Sequence, residues 1–154
     1  MNKILIFILI AFLHFKLAYS EGYIKADNGI EWDSDKQTYT AIGNVFFKNE
    51  NIEANSQKMI ANYIEENNNE VFTIVEFFKS IVIYFNDEIY KGDYGIYTKK
   101  NNTIKLNGNV SIESPNRILM GDELIVELDN NKRSLNSNNK ESIVEVLIEK
   151  NENN

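Results

Sequence analysis

The sequence predicts an all-β fold assembled from short antiparallel strands. Apolar and polar residues alternate along nearly every stretch after residue 20. Clusters of Asn, Asp, Ser and Gly interrupt those rows at short intervals. No stretch of that region sustains the 3.6-residue apolar period of an amphipathic helix. The spacing gives roughly a dozen strands, the pattern of a sandwich, roll or barrel.

The chain opens on an address rather than a strand. Lys3 forms a short positive start, Ile4–Leu13 is an unbroken apolar run, and Ala18 and Ser20 occupy the small-residue positions of a cleavage site. The run is interrupted by His14 and Lys16 and falls short of the roughly 20 apolar residues that span a bilayer. Residues 1–20 are therefore expected to be an export signal cleaved after Ser20, residues 21–150 one domain, and residues 151–154 a disordered tail.

Export changes the balance of charge. Cleavage removes Lys3 and Lys16 and no carboxylate, so the mature chain is two charges more acidic than the −7 of the full sequence. Phosphate backbones need clustered cations, so nucleic acid is not an expected partner. The chain has no cysteine, and its one histidine, His14, lies in the signal. Serine and cysteine triads, zinc sites of His or Cys, and the commonest general base near neutral pH are thereby excluded from the mature chain. Paired carboxylates such as Asp33/Asp35 and Asp87/Glu88 sit in turn-like polar stretches, where charge is ordinarily just solvated. No P-loop, dinucleotide fingerprint or EF-hand loop is present. The expectation is a protein that is not an enzyme, with no catalytic residue, cofactor or metal.

In chain order, Tyr23–Trp32 reads as a first, edge strand, closed by the turn Asp33–Lys36. Tyr39, Ala41, Val45 and Phe47 share one parity, and Asn49–Asn51 ends that row. After the turn Glu65–Asn69, Val75, Phe77, Ile81, Ile83 and Phe85 form another row, ended by Asn86–Glu88. Beyond Lys99–Asn102, Ile104, Leu106, Val110 and Ile112 alternate with polar residues up to Ser114–Asn116. There Pro115 does no harm, because a turn does not need its missing N–H. Leu124, Val126 and Leu128 follow, then a turn at Asp129–Arg133. Val144, Val146 and Ile148 make the last row, within a second candidate edge, Ser142–Glu149.

A repeat underlies these rows. Gly43-Asn44-Val45 recurs as Gly108-Asn109-Val110, each followed by alternating apolar residues. Each unit then carries a turn and an apolar–small–polar segment: Ile52 to Ala54-Asn55, and Leu119 to Gly121-Asp122. A degenerate middle copy has Lys79-Ser80 in place of Gly-Asn and ends in Gly92-Asp93. Three copies of about thirty residues suggest stacked hairpins, none able to bury its apolar face alone. Glycine at a bend allows a kink or a close approach, and Asn tolerates left-handed geometry. No cation recurs beside the glycines, so anion sites at these turns are disfavoured.

The segments Thr40–Tyr63, Tyr90–Tyr97, Ile104–Ile112 and Leu119–Leu128 together resemble the OstA-like family, in particular its LptA-type periplasmic lipopolysaccharide-transport proteins. The resemblance runs from about Ile24 to Ile148. The export signal and the end of the chain at Asn154 fit a free periplasmic member. The family implies an open, taco-like β-jelly roll of paired strands with a greasy interior. It implies a head-to-tail bridge carrying lipopolysaccharide from inner to outer membrane, the lipid A acyl chains inside. The implied partners are lipopolysaccharide, an inner-membrane-anchored jelly roll (LptC-like), an outer-membrane barrel assembly protein (LptD-like) and further copies of the chain.

On this resemblance the lipid-binding interior is expected at Val45, Phe47, Ile81, Ile83, Phe85, Ile104, Leu106, Val110, Ile112, Leu124, Val126, Leu128, Val144 and Val146. The repeat positions are Gly43, Asn44, Gly92, Asp93, Gly108, Asn109, Gly121 and Asp122, with Ala54, Gly92 and Gly121 keeping a crowded position small. Taken alone, the same apolar rows fit an ordinary closed core equally well. A secreted structural or adhesive β-repeat module without a lipid ligand is the alternative. Lys79 shares the parity of Ile81 and points inward unless it lies near the mouth or a bulge turns it out.

Overall fold

The structure is a computed structural model describing residues 22–137 and 143–148. The expected export signal and the tail at 151–154 lie outside those residues. The strands are β1 (Gly22–Lys25), β2 (Gly29–Asp33), β3 (Thr38–Asn49), β4 (Glu53–Glu66), β5 (Asn69–Phe85), β6 (Glu88–Thr98), β7 (Thr103–Ser114), β8 (Arg117–Glu127), β9 (Lys132–Asn136) and β10 (Glu145–Ile148). One 3-10 turn, Lys99–Asn101, joins β6 to β7.

All ten strands form one antiparallel sheet in the order β1-β3-β4-β5-β6-β7-β8-β10, with β2 on β3 and β9 on β8. The strands are fewer and longer than the expected dozen, up to 17 residues in β5. The reason is that the polar stretches shrink to tight turns. Between β4 and β5 only Asn67 and Asn68 turn, at φ 52° and 64°, the double left-handed geometry that suits a right-twisted hairpin. The turn expected at Asp129–Arg133 likewise ends by Asn131, and Lys132 and Arg133 already belong to β9.

The sheet is folded along a crease. β3, β5 and β7 each carry a bulge, seen as register breaks at Ile42/Val45, Phe78/Ile81 and Asn107/Val110. The residues inside those breaks, Gly43-Asn44, Lys79-Ser80 and Gly108-Asn109, all have positive φ. A left-handed pair bends a strand sharply, and adjacent hairpins bend at the same level. Lys79 (φ 64°) and Ser80 (φ 51°) are exposed and complete the third copy of the bend without glycine or asparagine. The bulge therefore turns Lys79 outward.

Register also corrects the first copy of the repeat. Val45 faces Ser56, Ile81 faces Gly92 and Val110 faces Gly121. The small position of the first unit is Ser56, not Ala54, and Gln57 stands where the other units have Asp93 and Asp122. Polar side chains tie the outside of the crease. Asn109 Nδ2 donates to Asp93 Oδ2 at 2.5 Å, Asn44 Nδ2 to Asp27 Oδ2 at 2.8 Å, and Gln57 Nε2 to Asn44 Oδ1 at 3.4 Å.

Folding brings the two halves of each long strand face to face. Phe47, on one side of the crease, meets Phe72 and Phe77, on the other, with ring centroids 5.8 Å apart in both pairs. The core between these two arms is apolar, with Ser56 the one buried polar residue among those described. The sheet's two ends do not pair with each other. At one end β1 and β2 share β3, each covering one arm, and at the other β10 and β9 share β8 in the same way.

Candidate functional site: an apolar interior and its rim

The alternation that makes the strands also aims their side chains. Val45, Phe47, Ile81, Ile83, Ile104, Leu106, Val110, Ile112, Leu124, Val126 and Leu128 all face the space between the arms and are buried. Phe85 is half-buried at the rim and packs against this core. Val144 and Val146 do not belong there. They are 41% and 53% exposed, because β10 pairs only with Arg117–Met120 of β8 at the outer end of the sheet. The burial pattern of this strand is exposed throughout.

Several interior residues escaped the sequence reading: Met59, Ala61, Tyr63, Val71, Tyr90 and Tyr97 are buried too. All but Val71, which lies on β5, belong to β4 or β6, whose parity changes at the crease. On β4 the inward series runs Ala54, Ser56, then Met59 and Ala61; on β6 it runs Tyr90, Gly92, then Gly95 and Tyr97. The step of three across the bend breaks an alternation count, whereas β3, β5 and β7 step by four and keep it. The signal available was the small–polar pair itself, Gly92-Asp93, which marks where the count must restart.

The glycines of the repeat serve close packing. A Cβ on Gly92 would lie 3.3 Å from Leu106 Cβ, and one on Gly121 would lie 2.9 Å from Leu135 Cγ and 3.0 Å from the Asn136 carbonyl. Gly108 needs its freedom for a second reason: at φ +76° its Cβ would also meet Asp93 Oδ2 at 2.8 Å. Asp122 sits half-buried at the equivalent level of β8.

The rim opposite the crease is closed by polar contacts between the arms. Asn51 Nδ2 donates to the hydroxyl of buried Tyr97 at 3.0 Å. The cavity beside this pair, lined by Asn49, Phe72 and Tyr97 among others, has a volume of only ≈ 10 Å³, room for about one water. Near β9, Arg133 Nε donates to Glu88 Oε2 at 2.7 Å, and the Tyr90 hydroxyl donates to the same oxygen at 2.7 Å. Burial, reinforced by the Glu88 carboxylate, pushes the Tyr90 hydroxyl far above its ordinary pKa. Glu88 is thus a structural acceptor. Asp33 is held below the usual carboxylate range by its hydrogen bond from Lys36.

Tyr39, which packs against the core, donates to Glu70 at 2.7 Å, and Tyr94 donates to Glu76 at 2.6 Å. Burial and these carboxylates raise both phenols to about 12. Among the described residues, no group of three or more His, Cys, Asp or Glu is placed to hold a metal. No helix among them is long and apolar enough to cross a membrane.

A folded sheet with an apolar lining and a seam along one side can take up a flexible apolar chain only by parting its arms. No curated protein matches this sequence. Among solved structures, the chain resembles LptH of Pseudomonas aeruginosa, the LptA-homologous periplasmic component of a lipopolysaccharide transport device. The TM-score is 0.72 at 10% identity, over 85% of this chain and 96% of LptH. The two share the fold. Residues 23–132 match the family model described as LptA/(LptD N-terminal domain) LPS transport protein. The chain belongs to that family of lipopolysaccharide-transport proteins.

Proposed function

We propose that this protein is a periplasmic bridge component that carries lipopolysaccharide with its acyl chains between the two arms. The observation that carries the reading is the continuous apolar interior, running from Phe47 and Phe77 at one end to Leu124 and Val126 at the other. Its lining is almost wholly aliphatic and aromatic, so an acyl chain would gain roughly 0.8 kcal/mol per buried CH₂ without meeting a polar hook that stops its passage. Transfer of this kind needs no catalytic residue and no cofactor in the chain itself. Export through residues 1–20 would deliver the mature domain to the periplasm.

The two ends of the sheet support stacking. Among the described residues, no strand pairs with the outer edge of β1 and β2 or with that of β9 and β10. Exposed Ile30 and Trp32 at one end, and Val146 and Ile148 at the other, give apolar contacts beside those edges. Strand addition would join copies head to tail, and would join the terminal copies to an LptC-like anchored jelly roll and an LptD-like barrel assembly protein.

Photo-crosslinking tests the path. A photoreactive residue at Ile83, Ile112 or Val126 should label lipopolysaccharide or an acyl probe, and one at outward Glu113 or Glu127 should not. The reverse pattern refutes an interior route and favours the alternative, a structural β-repeat module with a closed core.

A further inference from the structure

We propose that Arg133 and Arg117 form a headgroup site at the rim of the interior, for the phosphate or carboxylate of an anionic amphiphile, and that Glu88 occupies this site when the arms are closed. The proposal rests on the transport reading above and adds to it a place where the charged end of the cargo is held.

These are the only two arginines in a chain with 16 Lys and Arg in all, and both converge on one carboxylate. Arg133 Nε lies 2.7 Å from Glu88 Oε2, and Arg117 Nη2 lies 3.6 Å from Glu88 Oε1. The Tyr90 hydroxyl completes the set, 2.7 Å from Glu88 and 3.2 Å from Arg133 Nε. Two guanidinium groups and a phenol aimed at one small anion are the donor set that recognises phosphate or carboxylate. Here the chain's own glutamate fills it.

Burial separates this cluster from the other ion pairs. The Arg133 side chain is 18% exposed, whereas every other Lys or Arg in a described ion pair is at least 44% exposed. Carbonyl and side-chain oxygens of Asn131 hold its Nη1 at 2.5 Å each. Its Cζ lies 6.0 Å from the centre of the Phe85 ring, and Phe85 packs against the core. A ligand whose anionic group displaced Glu88 would therefore already have its apolar portion against Phe85 and the interior.

The pairing also spans the seam. Arg133 belongs to β9, on one arm, and Glu88 and Arg117 to the starts of β6 and β8, on the other. Parting the arms to admit an acyl chain pulls Arg133 away from Glu88 and frees both for exchange. The bound anion would then restore the cross-seam contact that opening breaks.

Isothermal titration of the mature protein with dodecyl phosphate below its micelle concentration, neutral dodecyl maltoside and inorganic phosphate tests this. The wild type should bind both amphiphiles and prefer dodecyl phosphate. Arg133→Gln and Arg117→Gln should each weaken dodecyl phosphate by about tenfold, the worth of one charge-assisted hydrogen bond, and leave dodecyl maltoside unchanged. Glu88→Gln should tighten dodecyl phosphate by removing the competitor. Arg117 is exposed, so its variant keeps the test valid if Arg133→Gln fails to fold. Unchanged phosphate binding in Arg117→Gln overturns the headgroup site and leaves the interior path standing. Inorganic phosphate binding as tightly as dodecyl phosphate overturns the lipid assignment. Failure of the wild type to bind either amphiphile overturns the transport reading, and this proposal with it.

Discussion

Phe47 and Phe77 pack edge to face at 5.8 Å, although they lie on opposite sides of the crease that folds the sheet. Each is wholly buried. The contact measures whether the arms are closed, because no backbone pairing holds the two halves together at this point. Phe47→Ala should cost about 3–5 kcal/mol, the usual loss for a buried aromatic ring. Urea unfolding followed by circular dichroism would read it. A loss under about 1 kcal/mol would mean the arms do not pack as described.

Lys79 and Ser80 hold left-handed backbone that Gly43-Asn44 and Gly108-Asn109 adopt at less cost. The double change Lys79→Gly, Ser80→Asn should raise stability by roughly 1 kcal/mol, since a side chain costs about 1–2 kcal/mol in that region. The opposite change, Gly108→Ala, should destabilise through both its φ and the approach of Asp93. Thermal melts of the two variants should move in opposite directions.

Gly121 is where β9 closes over β8. A larger residue would meet the Leu135 side chain and, less yieldingly, the Asn136 carbonyl. Gly121→Val should cost about 1–3 kcal/mol as overpacking. It should also raise amide exchange in Lys132–Asn136 before the rest of the sheet.

Alkaline pH should unfold the protein through its tyrosines. Tyr39 and Tyr94 titrate near 12 in the folded chain, first because burial disfavours the phenolate and then because the Glu70 and Glu76 carboxylates accept hydrogen bonds from the protonated phenols. An unfolded tyrosine titrates near 10. The folded state therefore holds its protons longer, and this contribution is complete below about pH 10 and lost as pH rises through about 12. Tyr39→Phe and Tyr94→Phe should flatten the fall in stability over that window. An unchanged slope in both would contradict the assigned environments.

Self-association should depend on the sheet ends. Sedimentation of the mature protein should show association that grows with concentration, and Trp32→Lys or Val146→Lys should reduce it. A monomer at all concentrations, with no cross-linking to partner jelly rolls, would sink the head-to-tail arrangement.

Alternation by itself determined most of the strands, and the Gly-Asn-Val copies located two of the three bends. Parity is local: it follows from the pleat, so Val45, Ile83 or Leu106 could be assigned a face from neighbours alone. The sequence also displayed the absence of Cys and of any His beyond His14, which bounded the chemistry before any fold was known. Tertiary structure decided what parity cannot carry across a bulge. It restarted the count on β4 and β6, bringing Met59, Tyr90 and Tyr97 inward. It turned Lys79 out, and it left Val144 and Val146 exposed on an edge. It alone brought Arg133 to Glu88, because that meeting depends on a sheet folding back on itself, and no spacing along the chain encodes the distance between two arms; Arg117 reaches Glu88 within one arm, across β7.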